Sequence, residues 1–112
     1  MAGVSAEEFA ATVELVCAKS KIVVRVAPLS KSAHQAKMRI YLKDRSIVSA
    51  YYNDQNGKTG FAHLRANERI FGADNSTENW HWHPYEDPSL HVASADAITF
   101  EEFLSKVEQA LK

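Results

Sequence analysis

The chain has one cysteine, Cys17, in 112 residues, so it can form no internal disulfide and no cysteine-rich zinc site. Cys17 falls on the apolar stripe of a predicted helix, where a buried and unreactive thiol is the simplest reading. Long apolar runs are also missing. The first twenty residues carry Glu7, Glu8 and Glu14 instead of a basic start followed by an apolar stretch, giving the expectation of a cytoplasmic protein with no leader and no membrane span. No internal repeat or low-complexity segment is visible. The length suits one modest hydrophobic core and is too short for two, so residues 1–112 are read as a single domain.

Little net charge is present, −1 overall, but it is unevenly placed. Residues 1–18 sum to −3, residues 19–69 to +8 and residues 70–112 to −6. A basic middle could draw a polyanion to one region of the molecule. Alternatively, acidic terminal helices fold over the basic segment and neutralise it.

Local patterns give the elements. Ser5 and Glu8 have capping-box spacing, and Phe9, Val13, Val16 and Cys17 recur at helical intervals, which predicts an amphipathic helix over 6–18. "KIVVRVAP" reads as a strand stopping at Pro28. "AKMRIYLK" alternates, with Ala36, Met38, Ile40 and Leu42 on one side and Lys37, Arg39 and Tyr41 on the other. "IVSAYY", the turn "NDQNGKTG" and "FAHLRA" continue the sheet. In "FAHLRA", Phe61, His63 and Arg65 share a side. Residues 72–79 read as a polar loop, "WHWH" as a short strand, and 84–96 as irregular. Thr99 and Glu102 again have cap spacing, ahead of Phe103, Leu104, Val107 and Leu111. Strands flanked by helices without βαβ alternation predict an α+β fold, with an antiparallel sheet of about four or five strands and both helices on one face.

The uncovered face would carry the chemistry. Lys37, Arg39 and Tyr41 share it by spacing, Arg25 can join them, and His63 with Arg65 forms a similar pair. Guanidinium and ammonium groups hold phosphate, and a nearby imidazole moves protons near neutral pH. Metal-free RNA cleavage needs this set: a base for the 2′-hydroxyl, cations for the phosphorane and an acid for the leaving oxygen. Tyr41, Tyr51 or Tyr52 could stack on an unpaired base. The plain alternative is a solvated strand face that carries polar residues because it is exposed. "NGKTG" is too short for a phosphate-binding loop of the Gly-x-x-x-x-Gly-Lys type, but leaves Lys58 at a hairpin tip as a phosphate contact.

In "WHWHP", alternation sends His81 and His83 to one side of a strand and Trp80 and Trp82 to the other. The tryptophans could anchor the strand beneath a terminal helix with the histidines as its exposed partners. The histidines could join Arg39 or His63 in one catalytic cluster. They could also bind a metal, with His91 or Glu86 returning from the loop, and Zn²⁺, Ni²⁺ or Co²⁺ would suit them better than Mg²⁺. No His-Glu-x-x-His motif accompanies them.

The chain resembles the TumE-type family of toxins from toxin–antitoxin pairs. The resemblance lies in "VVRVAP" leading into "SAHQAKMRI" (Ser32, His34, Lys37, Arg39), in "RIFGADN" followed by "WHWHP" (Asp74, Asn75, His81, His83), and in the closing "ITFEEFLSKVEQAL". Trp82 stands where family members usually carry arginine. A competing alignment lays the motif on "YYNDQNGKTGFAH", which supplies Gly57, Lys58 and His63 but only one histidine. The resemblance implies a toxin directed at RNA or translation, with a cognate antitoxin protein as partner, and it raises His34 from a loop residue to a candidate substrate contact.

Together these readings give a TumE-like toxin component acting on RNA, with metal-independent cleavage as its chemistry. His81 and His83 are the first-choice acid and base, with His63 in reserve. Arg25, His34, Lys37, Arg39, Tyr41, Lys58 and Arg65 are the substrate contacts. No cofactor is required, and a divalent metal at His81, His83 and His91 is kept as an alternative. A non-catalytic module binding RNA or protein is the other. An open sheet edge would also permit a homodimer.

Overall fold

The computed structural model describes residues 3–77 and 79–111. Helix α1 (Ala6–Ala18) leads into seven strands: β1 (Val23–Lys31), β2 (Gln35–Leu42), β3 (Ile47–Asn53), β4 (Thr59–Arg65), β5 (Glu68–Thr77), β6 (Asn79–His83) and β7 (Val92–Ala93). Helix α2 (Phe100–Ala110) closes the chain. The strands form one antiparallel meander in sequence order, each pairing only with its chain neighbours. The α+β architecture expected from the sequence is present, with seven strands in place of four or five.

The extra strands come from segments read as loops. Residues 72–77, expected to be a polar loop, continue β5, and residue 79 begins β6; residue 78 lies outside the described residues. The turn that returns β5 onto β4 is only two residues, Ala66 and Asn67, both left-handed with φ of 52° and 65°. That is the backbone twist a tight hairpin requires, but without a glycine it leaves a weak sequence signal. Pro28 does not end β1, because β1 is an edge strand and can lose an amide donor there.

Both helices begin where the capping patterns place them. The Ser5 hydroxyl accepts from the Glu8 amide at 3.0 Å, and the Glu8 carboxylate accepts from the Ser5 amide at 3.0 Å. The Thr99 hydroxyl accepts from the Glu102 amide at 3.1 Å. Ser5→Ala removes one side of the first box and is expected to lower the unfolding free energy by about 1 kcal/mol, read by urea denaturation. An unchanged midpoint would show that the remaining contacts satisfy this helix end without the hydroxyl.

The apolar stripes of α1 (Ala6, Ala10, Val13, Cys17) and α2 (Phe100, Phe103, Leu104, Val107) are buried on one sheet face, against Met38, Ile40, Val48, Ala50, Phe61 and Phe71. Burial, reinforced by Glu14, pushes the Cys17 thiol up to about 11, which keeps it protonated and inert. Among the described residues no helix lies over the other sheet face. The acidic first turns of both helices, Glu7, Glu8, Glu101 and Glu102, therefore belong to the opposite side of the molecule from the residues on that open face.

Candidate functional site

Register fixes what the open face presents. Lys37 pairs with Tyr51, Tyr51 with Gly60, Gly60 with Asp74, and Asp74 with His81. In the adjacent row Arg39 pairs with Ser49, Ser49 with Ala62, Ala62 with Gly72, and Gly72 with His83. All these side chains alternate away from the helix-covered residues, so the cations and both histidines share one flank. They do not converge into the single cluster expected from the sequence. Four strand spacings separate β2 from β6, about 19 Å across the sheet. Small residues (Ser49, Gly60, Ala62, Gly72) floor the space between.

Among the described residues, Arg25, Lys37, Arg39, Lys58 and Arg69 form no ion pair; only Arg65 does, with Asp44 at 2.5 Å. The acidic helices thus leave the open-face cations unneutralised. The Arg25 guanidinium lies 4.2 Å from the centre of the Tyr41 ring, which places both on this face as expected. Arg39 Nε is buried and has no hydrogen-bond partner.

The histidine end is built by the β5–β6 hairpin. Trp82 stacks on Phe71 with ring centres 5.6 Å apart, and Trp80 stacks on Phe61 at 6.0 Å. With the tryptophans held towards the core, alternation sends His81 and His83 to the open face. They are not exposed there: His81 retains 5% and His83 3% of its surface. The chain returning after β6 lies against them at Pro88 and His91. Pro88 O lies 3.1 Å from His83 Nδ1 and accepts from Arg69 Nη2 at 3.1 Å. The His91 ring centre is 4.7 Å from each of the other two imidazoles.

Asp74 sits between the two buried rings, with Oδ2 3.0 Å from His83 Nε2 and Oδ1 3.1 Å from His81 Nε2. Burial works against its ionisation, but the Ser76 hydroxyl and amide, the His83 hydrogen bond and the His81 charge prevail and hold the carboxyl below its ordinary range. Gly72 packs tightly here, since a Cβ would stand 3.1 Å from Arg69 Cδ and 3.2 Å from the Phe61 carbonyl oxygen.

Other expected site residues lie elsewhere. His63 was expected on the open face with Arg65, yet Phe61 takes the core in β4 and carries His63, two residues on, to the same helix-covered side. It is fully buried, with Nε2 2.8 Å from Ser46 Oγ and Nδ1 2.8 Å from the Tyr85 hydroxyl. Burial, only partly offset by Asp44 and aided by Arg65, pushes it down to about 4. The sheet itself separates it from substrate on the open face, which removes it as a reserve acid or base. Arg65 is held at the far end of β4 by Asp44. His34 contacts Asp54 at 2.9 Å near the start of α1, away from the other histidines.

Lys58 occupies the β3–β4 turn, which Asn75 clamps: its Oδ1 accepts from the Thr59 amide at 2.8 Å, and its Nδ2 donates to Gly57 O at 3.0 Å. The Asp74-Asn75 pair therefore divides its work between the histidines and the lysine-bearing turn. The sequence reading left Asp74 and Arg69 out of the site. The signal was the alternation of Phe71 and Ala73 with Gly72 and Asp74, concealed by reading the segment as a loop.

Comparison of the chain with protein-family models, with curated proteins and with solved structures gives no match in any of the three. Among the described residues no helix is long and apolar enough to cross a membrane.

Proposed function

We propose that the open sheet face engages RNA, with Lys37, Arg39, Arg25 and Lys58 holding backbone phosphate and the His81–His83–Asp74 cluster forming the reactive end. The observation that carries this reading is the set of cations left without carboxylate partners on the face opposite the acidic helices. A single phosphate cannot touch Lys37 and His81 together. A polynucleotide laid along the row would run from Lys37 past Tyr51, half-buried midway and a surface for a base, to the chain around Pro88 and His91 that covers the buried histidines. The TumE-type resemblance adds a toxin setting in which an antitoxin protein would cover this face.

The test is anisotropy of a labelled single-stranded oligoribonucleotide across a salt series, in EDTA. Affinity should fall with salt, and Lys37→Gln/Arg39→Gln should flatten the log–log slope by about 1.4, two phosphate contacts at about 0.7 each. An unchanged slope would overturn the assignment. The same RNA, run on a gel, separates the classes. Cleavage persisting in EDTA but lost in His83→Ala makes the histidines acid and base. Binding with intact RNA makes the chain a recognition module.

A further inference from the structure

The two buried histidines face a problem of hydrogen-bond bookkeeping that protons solve poorly. His81 Nδ1 lies 3.2 Å from Asn79 O, and His83 Nδ1 lies 3.1 Å from Pro88 O. A carbonyl oxygen only accepts, so both Nδ1 atoms carry hydrogen. In a neutral ring this leaves a lone pair on Nε2. Each Nε2 faces an oxygen of the one Asp74 carboxylate, that of His83 at 3.0 Å within hydrogen-bond geometry and that of His81 at 3.1 Å outside it. A cation between the rings and the carboxylate would be held by both imidazole lone pairs.

The two rings stand 4.8 Å apart with one carboxylate to share. The His81 contact lacks hydrogen-bond geometry: its Nε2 is buried without a hydrogen-bond partner despite the 3.1 Å approach. A buried charged donor left unpaired is costly. One cation accepting both lone pairs removes the difficulty.

The third ring completes the set. His91 makes no side-chain hydrogen bond among the described residues, and its ring stands equally close to the other two. One nitrogen from each of His81, His83 and His91 lies within 4.8 Å of the others. We propose that Nε2 of His81, Nε2 of His83, a ring nitrogen of His91 and the Asp74 carboxylate bind one late first-row divalent ion, Zn²⁺ foremost. Imidazole donors with a single carboxylate select Zn²⁺, Ni²⁺ or Co²⁺ over Mg²⁺ and Ca²⁺. The Nδ1 contacts to Asn79 and Pro88 carbonyls are the outer interactions that hold a ligating histidine in the correct tautomer. Tetrahedral zinc places nitrogen ligands ~3.4 Å apart, so the nitrogens must draw together by up to about 1.4 Å. His91, exposed and next to a strand of only two residues, is the ring freest to move.

This inference rests on the cluster's geometry and leaves phosphate binding by the cations untouched, but a bound ion takes the same Nε2 atoms that metal-free acid–base cleavage would use, so the two roles of His81 and His83 exclude one another. Protein without an affinity tag, stripped with chelator and dialysed, is titrated with ZnCl₂ by calorimetry, and the loaded form is weighed by native mass spectrometry. The expected result is one Zn²⁺ per chain, a raised melting temperature, and a tetrahedral visible spectrum when Co²⁺ is substituted. His91→Ala, at an exposed position, should keep the circular dichroism of the parent and weaken Zn²⁺ affinity at least tenfold. His34→Ala should bind as the parent does. Absence of stoichiometric binding, or His91→Ala binding with parental affinity, would overturn the site.

Discussion

Phe103→Ala is expected to lower the unfolding free energy by about 3–5 kcal/mol, the range for a large aromatic removed from a core that cannot fully collapse. Phe103 has no exposed surface, and its ring lies 5.0 Å from Phe71, 5.4 Å from Phe61 and 6.4 Å from Trp82. These partners come from β4, β5 and β6, so the cavity would open where α2 meets three strands at once. Domains of this kind hold together by only about 5–15 kcal/mol, so the loss is a large share of the total. Trp82 also sets the phase of β6, and releasing it would loosen His81 and His83. Urea unfolding followed by tryptophan emission measures both the midpoint and the local change. A loss below about 1 kcal/mol would mean that the aromatic layer does not hold α2 on the sheet.

The second large effect is a loss of stability in acid that arises at His63. The neutral ring is fully satisfied: the Ser46 hydroxyl donates to Asp44 and so accepts from His63 Nε2, while the Tyr85 hydroxyl donates to Nδ1. Burial also pushes the Tyr85 hydroxyl up to about 12, which keeps it a donor. Charging the ring inside this enclosure is unfavourable, which is why His63 falls from 6.5 to about 4. The unfolded chain therefore binds a proton at higher pH than the folded one. Stability from this group is complete above about pH 6.5 and declines as pH falls towards 4. The decline should reach about 2 kcal/mol at pH 5 and about 3 kcal/mol below pH 4. His63→Gln, which offers both a donor and an acceptor, should remove that slope. If parent and variant lose stability in parallel between pH 7.5 and pH 5, His63 is not the group responsible.

Some features were legible because they depend on neighbours in the chain. The limits of α1 follow from Ser5, Glu8 and a 3.6-residue stripe, and β2 follows from strict alternation in "AKMRIYLK". The opposed sides of "WHWH" follow from the same two-residue period. Where the chain gave two conflicting cues, the reading failed. Phe61 and His63 share a side in β4; an imidazole by itself suits solvent, but the phenylalanine requires the core. "GADNST" has the composition of a loop, yet pairs as a strand because β4 and β6 satisfy its amides on both sides.

The sequence by itself determined the α+β class, the two capped helices and the face each strand residue takes once its phase is set. Each of these is a local periodicity or cap. Only the tertiary structure decided that Lys37 and Arg39 stand four strands from His81 and His83, that Pro88 and His91 return against those histidines, and that Asp74 meets both. Strand order, register and loop return join residues far apart in the chain, and no local pattern encodes their separation in space.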